Sequence, residues 1–368
     1  MKIFVTGTRG IPNIPGGVES HCQQLYPLIV EKGHLIKLSR RKPYSHIKLN
    51  EWSGIKIVDN FAPKKKSMEA IVHTLITVIE AKKWGADIIH IHAIGPAIMV
   101  PFARLIGLKV VFTNHGPDYE RDKWGWLAKL VLRVGEKLGG IFANEVIVIS
   151  EVIQKIITLR CHRDSHLIHN GVQIPQKSKD TSYIDSLDLV AGDYIIAVAR
   201  FVPEKGLHDL IEAYNQSGLT FKLVLAGDSD HDDDYSISLK NTAYNNPNIV
   251  LTGYITGDKL HQIYSHARLF VLPSYHEGLP IALLEALSYG LPLLVSDIPA
   301  NLEVNLDKKY YFQCKNVENL KNQLITLLSE QFSGAEQQRL IEFVKLKYNW
   351  DKIAIQTIEV YKKALTAT

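Results

Sequence analysis

The sequence predicts an α/β protein of two doubly wound, Rossmann-like domains, each a parallel sheet covered by helices, facing an interdomain cleft. Three observations carry this. Short Val/Ile/Leu-rich runs alternate with longer amphipathic stretches, as strands buried on both faces require. A polar, irregular stretch interrupts the series, which then restarts. Glycines and polar residues gather directly after the apolar runs, where ligands bind in open α/β sheets.

The elements follow in order. KIFVT (2–6) opens the chain, and a Gly-rich turn leads into a helix from about Val18 to Glu31. LIKLS (35–39), DIIHIH (87–92), KVVFTN (109–114) and EVIVIS (145–150) are the next strands. Residues 173–193 read as a linker. YIIAVAR (194–200), FKLVLAG (221–227), NIVLTG (248–253), RLFVLP (268–273) and PLLVSD (292–297) then build a second sheet, and helices close the chain from about Val317. The domains are 1–172 with a last helix at about 350–368, and 173–349. The 368 residues suit two domains at about 150 residues each, and 46% hydrophobic with 22% charged residues excludes disordered and fibrous classes.

The net charge of +4 hides an asymmetry. Residues 1–175 hold 24 Lys+Arg against 14 Asp+Glu, a net +10; the remainder hold 18 against 24, a net −6. Cys22, Cys161 and Cys314 form no CxxC pair, which favours a reducing cytoplasm over a disulfide framework. The N-terminus has no apolar signal-peptide core, and the longest apolar run, 93–103, is too short for a bilayer. The expectation is a cytoplasmic protein, peripheral to the membrane at most.

Several residue groups carry chemistry, each with a plainer alternative. Gly16-Gly17 before a helix suits a phosphate, or is only a turn. Thr6-Gly7-Thr8-Arg9-Gly10 begins like a dinucleotide fingerprint, but Asn13 stands where the third glycine belongs. His90, His92 and His115 could bind a metal, or could line a site and pack as hydrogen-bonded residues; no carboxylate follows at metallohydrolase spacing. Asp228-x-Asp230-x-Asp232 resembles a calcium loop, but Asp233 replaces its glycine and Leu239 its glutamate. Arg200 and Lys205 at a strand-to-helix junction suit a diphosphate, or are solvated bases. Glu277 precedes the helix IALLEALSYG, and Glu285 lies inside it between apolar neighbours, where a carboxylate needs a partner such as a sugar hydroxyl.

In order along the chain, Gly16-Gly17-Val18-Glu19, His115-Gly116, Ser150-Glu151, Asn170-Gly171-Val172, Arg200…Glu204-Lys205-Gly206, Gly227-Asp228, Gly253-Tyr254 and Glu277-x7-Glu285 resemble a family 4 glycosyltransferase of the GT-B fold. HGPDYERDKWG (115–125) further resembles a subgroup that builds bacterial surface polysaccharide. The resemblance implies a retaining hexosyl transfer from a nucleotide sugar without metal or other cofactor. It implies that Gly16, Gly17, Arg200 and Lys205 hold the diphosphate and that Glu285 binds the ribose. Glu277, with the N–H groups of Gly278 and Leu279, would hold sugar and phosphate, and His115 would stand beside the anomeric carbon. It also implies that the last helix returns to the first domain.

The acceptor is expected on the basic first domain, at Asp118, Glu120, Arg121 and Lys123, as a lipid-linked glycan. Arg40-Arg41-Lys42, Lys64-Lys65-Lys66 and the region Arg121 to Lys137, with Trp124 and Trp126, suit an anionic membrane surface. No nucleic-acid motif occurs. A nucleotide-sugar 2-epimerase of the same fold, or a nicotinamide-dependent nucleotide-sugar oxidoreductase, are the alternative activities. UDP is favoured over GDP as the donor nucleotide.

Overall fold

A computed structural model describes residues 1–45, 49–63, 66–120, 125–229 and 233–366, without the side chains of Lys66 and Ser67. Two compact units divide the chain: Met1–Gly171 with the segment from Asn349 onward, and Val172–Tyr348.

The strands of the first unit are β1 (Lys2–Thr6), β2 (Leu35–Arg41), β3 (Glu51–Trp52), β4 (Ile55–Asn60), β5 (Ile88–His92), β6 (Lys109–Asn114), β7 (Glu145–Val148) and β8 (His166–Leu167). They form one sheet in the order β3-β4-β2-β1-β5-β6-β7-β8. Every pairing is parallel except β3 with β4. Helices α1 (Gly17–Glu31), α2 (Lys66–Trp84), α3 (Val100–Leu105), α4 (Trp126–Phe142) and α5 (Glu151–Cys161) connect them. Ile3, Phe4 and Val5, and Val110, Val111 and Phe112, are fully buried, so these runs need no polar alternation. Ser150 caps α5 by accepting from the Ile153 N–H.

The second unit holds β9 (Tyr194–Val198), β10 (Lys222–Ala226), β11 (Ile249–Gly253), β12 (Leu269–Leu272), β13 (Leu293–Ser296) and β14 (Tyr311–Phe312). Their order is β11-β10-β9-β12-β13-β14, all parallel. Its helices are α6 (Ser182–Asp185), α7 (Leu207–Ser217), α8 (Asp234–Tyr244), α9 (Gly257–His266), α10 (Ile281–Ser288), α11 (Pro299–Leu302), α12 (Val317–Ser329) and α13 (Gly334–Lys347). The last helix, α14 (Trp350–Thr366), belongs to the first unit. It packs on α1, with Ile353, Ala354, Tyr361 and Ala364 in one buried cluster with Leu25, Tyr26 and Ile29.

Two expectations are corrected. Residues 173–193 are not a free linker. Ile184 and Leu189 are buried, the Ser178 N–H donates to Ser265 Oγ (2.9 Å), and the Tyr183 N–H donates to Gln262 Oε1 (2.8 Å). Two apolar anchors in a polar stretch hold the segment on the second unit. Arg40 and Arg41 are not part of a basic surface: both are buried, Arg40 against Asp59 (2.6 Å) and Arg41 against Glu69 (3.1 Å), because a guanidinium at a strand end needs a carboxylate once desolvated. Lys64 and Lys65 lie outside the described residues.

Helix α4 is seated on glycines. A Cβ at Gly135 would meet Ile94 O at 2.1 Å, one at Gly139 would meet Ala97 Cβ at 2.8 Å and the Phe112 ring at 2.9 Å, and one at Gly140 would meet Cys161 Sγ at 2.4 Å. A Gly139→Val variant should therefore destabilise the first unit by about 1–3 kcal/mol through overpacking. Urea unfolding followed by circular dichroism reads this, and an unchanged midpoint would refute the seating.

Candidate functional site

In the first unit the candidate side chains stand at the carboxyl ends of β1, β5 and β6. The backbone turns sharply after β1, because Gly7 has φ +98° and a Cβ there would meet His92 O at 2.1 Å. Glu19 then folds back under the loop. Its Oε1 accepts the Arg9 N–H (2.8 Å), and its Oε2 would lie 2.0 Å from a Cβ on Gly16, which has φ +146°. Gly17 begins α1 in open space. An exposed helix N-terminus lined by glycine backbone results, the arrangement that accepts a phosphate.

Beneath this loop lies a buried chain of imidazoles and phenols. His90 and His92 point to the same face of β5 and stack with ring centroids 4.1 Å apart. Tyr26 Oη lies 2.9 Å from His90 Nδ1 and 2.6 Å from His92 Nε2. His90 also meets Tyr361 Oη (2.7 Å) and Thr113 Oγ1 (2.7 Å). His92 Nδ1 lies 2.9 Å from Nε2 of His115, the most accessible ring of the chain. His21 stands edge-on to His115 at 5.1 Å, and its Nδ1 is 2.9 Å from Asn170 Oδ1. Burial drives all four histidines toward the neutral form: His21 to about 4, His90 to about 3, and His92 and His115 well below the ordinary value, with the neighbouring imidazoles adding to the last three. At neutral pH His115 is thus a neutral hydrogen-bonding group and a poor general base.

Ligand atoms of His21, His92 and His115 lie within 4.8 Å of one another, and three imidazoles suit Zn²⁺ or a similar ion. Both ring nitrogens of His92 are already hydrogen-bonded, so an ion would have to displace the contact with His115. His21, Tyr26 and Tyr361 escaped the sequence reading, because only the packing of α1 and α14 on the sheet brings them to β5.

Of the expected acceptor residues, Asp118 and Glu120 sit in a 3-10 turn, and Arg121 and Lys123 lie outside the described residues. Between them Tyr119 is buried. The Arg133 and Arg160 guanidiniums stand 5.2 and 5.0 Å from its ring, and its hydroxyl donates to Glu136 Oε2 (3.2 Å).

In the second unit Arg200 follows β9, and Lys205 ends the 3-10 turn Pro203–Lys205. Gly206 takes φ +62° and passes so close to Pro273 that a Cβ would meet its carbonyl oxygen at 2.2 Å. That approach brings Lys205 to the loop before α10, where its ammonium forms an ion pair with Glu277. Burial would raise the Glu277 carboxyl, but the Lys205 charge and hydrogen bond, with smaller contributions from Ser274 and His276, together outweigh it and hold the group below its ordinary value. Gly278 and Leu279 follow directly, with Leu279 buried, ahead of the N-terminus of α10.

Glu285, inside α10, has the opposite environment. Burial raises it to about 7, and the Tyr264 hydroxyl, donating to Oε2 at 3.1 Å, only partly offsets this. A carboxylate held this way is a ready acceptor for a pair of hydroxyls. Asp228 pairs with Lys240 (2.7 Å) and Asp233 caps α8 in a capping box with Ser236, while Asp230 and Asp232 lie outside the described residues.

The Glu285 environment sets a pH dependence. Its folded-state value of about 7 lies above the ordinary 4.5, so the folded protein holds a proton that the unfolded chain releases, and stability falls as pH rises through that window. Glu285→Gln should stabilise the ligand-free protein at pH 8 by on the order of 1–3 kcal/mol, read as a higher thermal midpoint, and the gain should fade toward pH 4.5. A loss of stability at pH 8 would contradict this environment.

Two family models match the chain: Glycosyltransferase Family 4 over residues 15–175 and Glycosyl transferases group 1 over residues 186–347. An uncharacterized glycosyltransferase of Methanocaldococcus jannaschii is 24% identical, over 99% of each chain. The O-antigen chain mannosyltransferase B of Escherichia coli is 26% identical over 46% of this chain and 45% of its own, and a capsular polysaccharide biosynthesis glycosyltransferase of Staphylococcus aureus is 25% identical over 47% and 48%. The chain thus spans about half the length of these two relatives. Among solved structures, sucrose-phosphate synthase from Thermosynechococcus elongatus superposes with a TM-score of 0.84 at 19% identity over 100% of both chains. Anabaena HepE, in complex with UDP-glucose, gives 0.80 at 18% identity over 97% and 98%. With residues 15–175 matched by Glycosyltransferase Family 4 and residues 186–347 by Glycosyl transferases group 1, the chain is a glycosyltransferase of the GT-B fold.

Proposed function

We propose that the protein is a retaining hexosyltransferase that moves a sugar from a nucleotide-sugar donor, UDP-linked, to a lipid-linked glycan in bacterial surface-polysaccharide synthesis (O-antigen, capsule or exopolysaccharide). The ion pair of Lys205 with Glu277, beside the glycine-led entry to α10, carries this reading. Departure of a nucleoside diphosphate builds negative charge on phosphate oxygens. Lys205, Arg200 and the N–H groups of Gly278 and Leu279 are fixed positive groups that would stabilise it without a metal. Glu277, kept ionised, would hold sugar hydroxyls and restrain Lys205 until phosphate arrives. Glu285 would take the ribose hydroxyls, Gly16 and Gly17 would add backbone donors to the diphosphate, and His115 would hydrogen-bond the sugar as a neutral group.

We propose same-face transfer as the route. The bond from the anomeric carbon to the phosphate oxygen breaks, the acceptor hydroxyl oxygen bonds to that carbon on the same face, and its proton passes to the departing phosphate. The O-antigen and capsular relatives support the polysaccharide context, and the UDP-glucose complex of HepE supports the donor class. A peripheral position on the inner face of the cell membrane fits a lipid-linked acceptor. Among the described residues, no helix is long and apolar enough to cross a membrane.

Sugar transfer should persist in excess EDTA; abolition by EDTA with recovery on Mg²⁺ or Mn²⁺ overturns the metal-free mechanism. Lys205→Ala should lower turnover by about 10²-fold or more. Unchanged turnover removes Lys205 from the site.

A further inference from the structure

We propose that the outward face of α4 docks the protein on an anionic lipid surface, its apolar side chains entering the headgroup–acyl boundary. The inference rests on the reading of a membrane-borne acceptor and names the surface that would meet the membrane.

A helix on a soluble α/β domain turns its apolar stripe inward and its polar residues out. Helix α4 does the reverse. Its inward side is Gly135, Glu136, Gly139 and Gly140, all buried. Large apolar residues point outward: Trp126 is 78% exposed, Leu127 59% and Leu130 51%, with Val134 and Ile141 also exposed. At 3.6 residues per turn these five fall within an arc of about 100°. Two further leucines are exposed on helices packed against α4: Leu105 at the end of α3, 83% exposed, and Leu159 on α5, 74% exposed.

Charge decides the occupant. Lys129, Arg133 and Lys137 line one edge of the apolar arc. The only acidic residue of the helix, Glu136, is buried and neutralised by Arg160 (3.1 Å). The exposed residues of α4 itself are therefore apolar or basic. A second copy would set like charges against these; anionic headgroups complement them, while Trp126 suits the interface where one end of a side chain is apolar and the other wet. The glycine seating lets the helix give up its large residues to another phase without leaving a void beneath it.

The test uses vesicle flotation of the full chain at low salt, with phosphatidylcholine alone or mixed with phosphatidylglycerol. Wild type should float only with the anionic vesicles, and Trp emission should shift to the blue. Leu130→Glu/Val134→Glu should lower the bound fraction at least tenfold, with an unchanged thermal midpoint and unchanged transfer to a water-soluble acceptor. Lys129→Gln/Lys137→Gln should weaken binding and flatten its salt dependence. If wild type floats and the double glutamate variant floats equally, the membrane reading stands but α4 is not the surface. Wild type that stays unbound overturns the docking, as does wild type that is a dimer in solution broken by the glutamates. In either case sugar transfer to the soluble acceptor reports separately on the enzymatic reading.

Discussion

Main chain meets main chain, with no side chain between, at the carboxyl ends of both sheets, and the functional groups depend on it. Gly7 lets the turn after β1 lie on the end of β5 at His92. Gly206 lies on Pro273, and Gly227, with φ +141°, comes so close to Ala199 that a Cβ would meet its carbonyl oxygen at 1.9 Å. Any other residue would push these loops outward by the width of a methyl group. Lys205 would then lose Glu277, and the glycine-led entry to α1 would lift from the histidines beneath it. The fold makes loops at strand ends available; these contacts fix where they sit.

The two groups of candidate residues manage buried polarity in opposite ways. The first keeps His21, His90, His92 and His115 uncharged and satisfies them with phenols, a hydroxyl and an amide. No ion needs to be stabilised there, so the chain can be deeply buried. The second buries carboxylates and treats them unequally. Glu277 has a cation and stays ionised; Glu285 has a phenol and titrates near neutrality. Two acids eight residues apart in sequence differ because one faces Lys205 across a loop and the other faces Tyr264 inside a core.

Helix α4 shows the same economy at the surface. Its glycines bind it closely to Ile94, Ala97 and Phe112, and this frees its large residues for a second environment. Arg40 and Arg41, by contrast, are held in buried ion pairs and add nothing to a basic surface.

The sequence by itself determined the α/β class and the order of the main strands, because continuous Val/Ile/Leu runs have few uses other than a covered parallel sheet. It also singled out Gly16, Gly17, Lys205, Glu277 and Glu285 as candidates, since glycine pairs, a basic residue at a strand end and a carboxylate amid apolar neighbours are local signals. The edge strands β3 and β8 were hidden by their length of two residues, and β4 by its mixed burial. Only tertiary structure decided the pairings. His21 joins His115 because α1 packs over β5, Tyr361 joins His90 because α14 folds onto the first unit, and Lys205 meets Glu277 across 72 residues of chain. Periodicity carries the direction of a side chain relative to its own element. Which element lies opposite depends on the packing of the whole chain, and that decides whether a buried group is neutral, paired or waiting for a ligand.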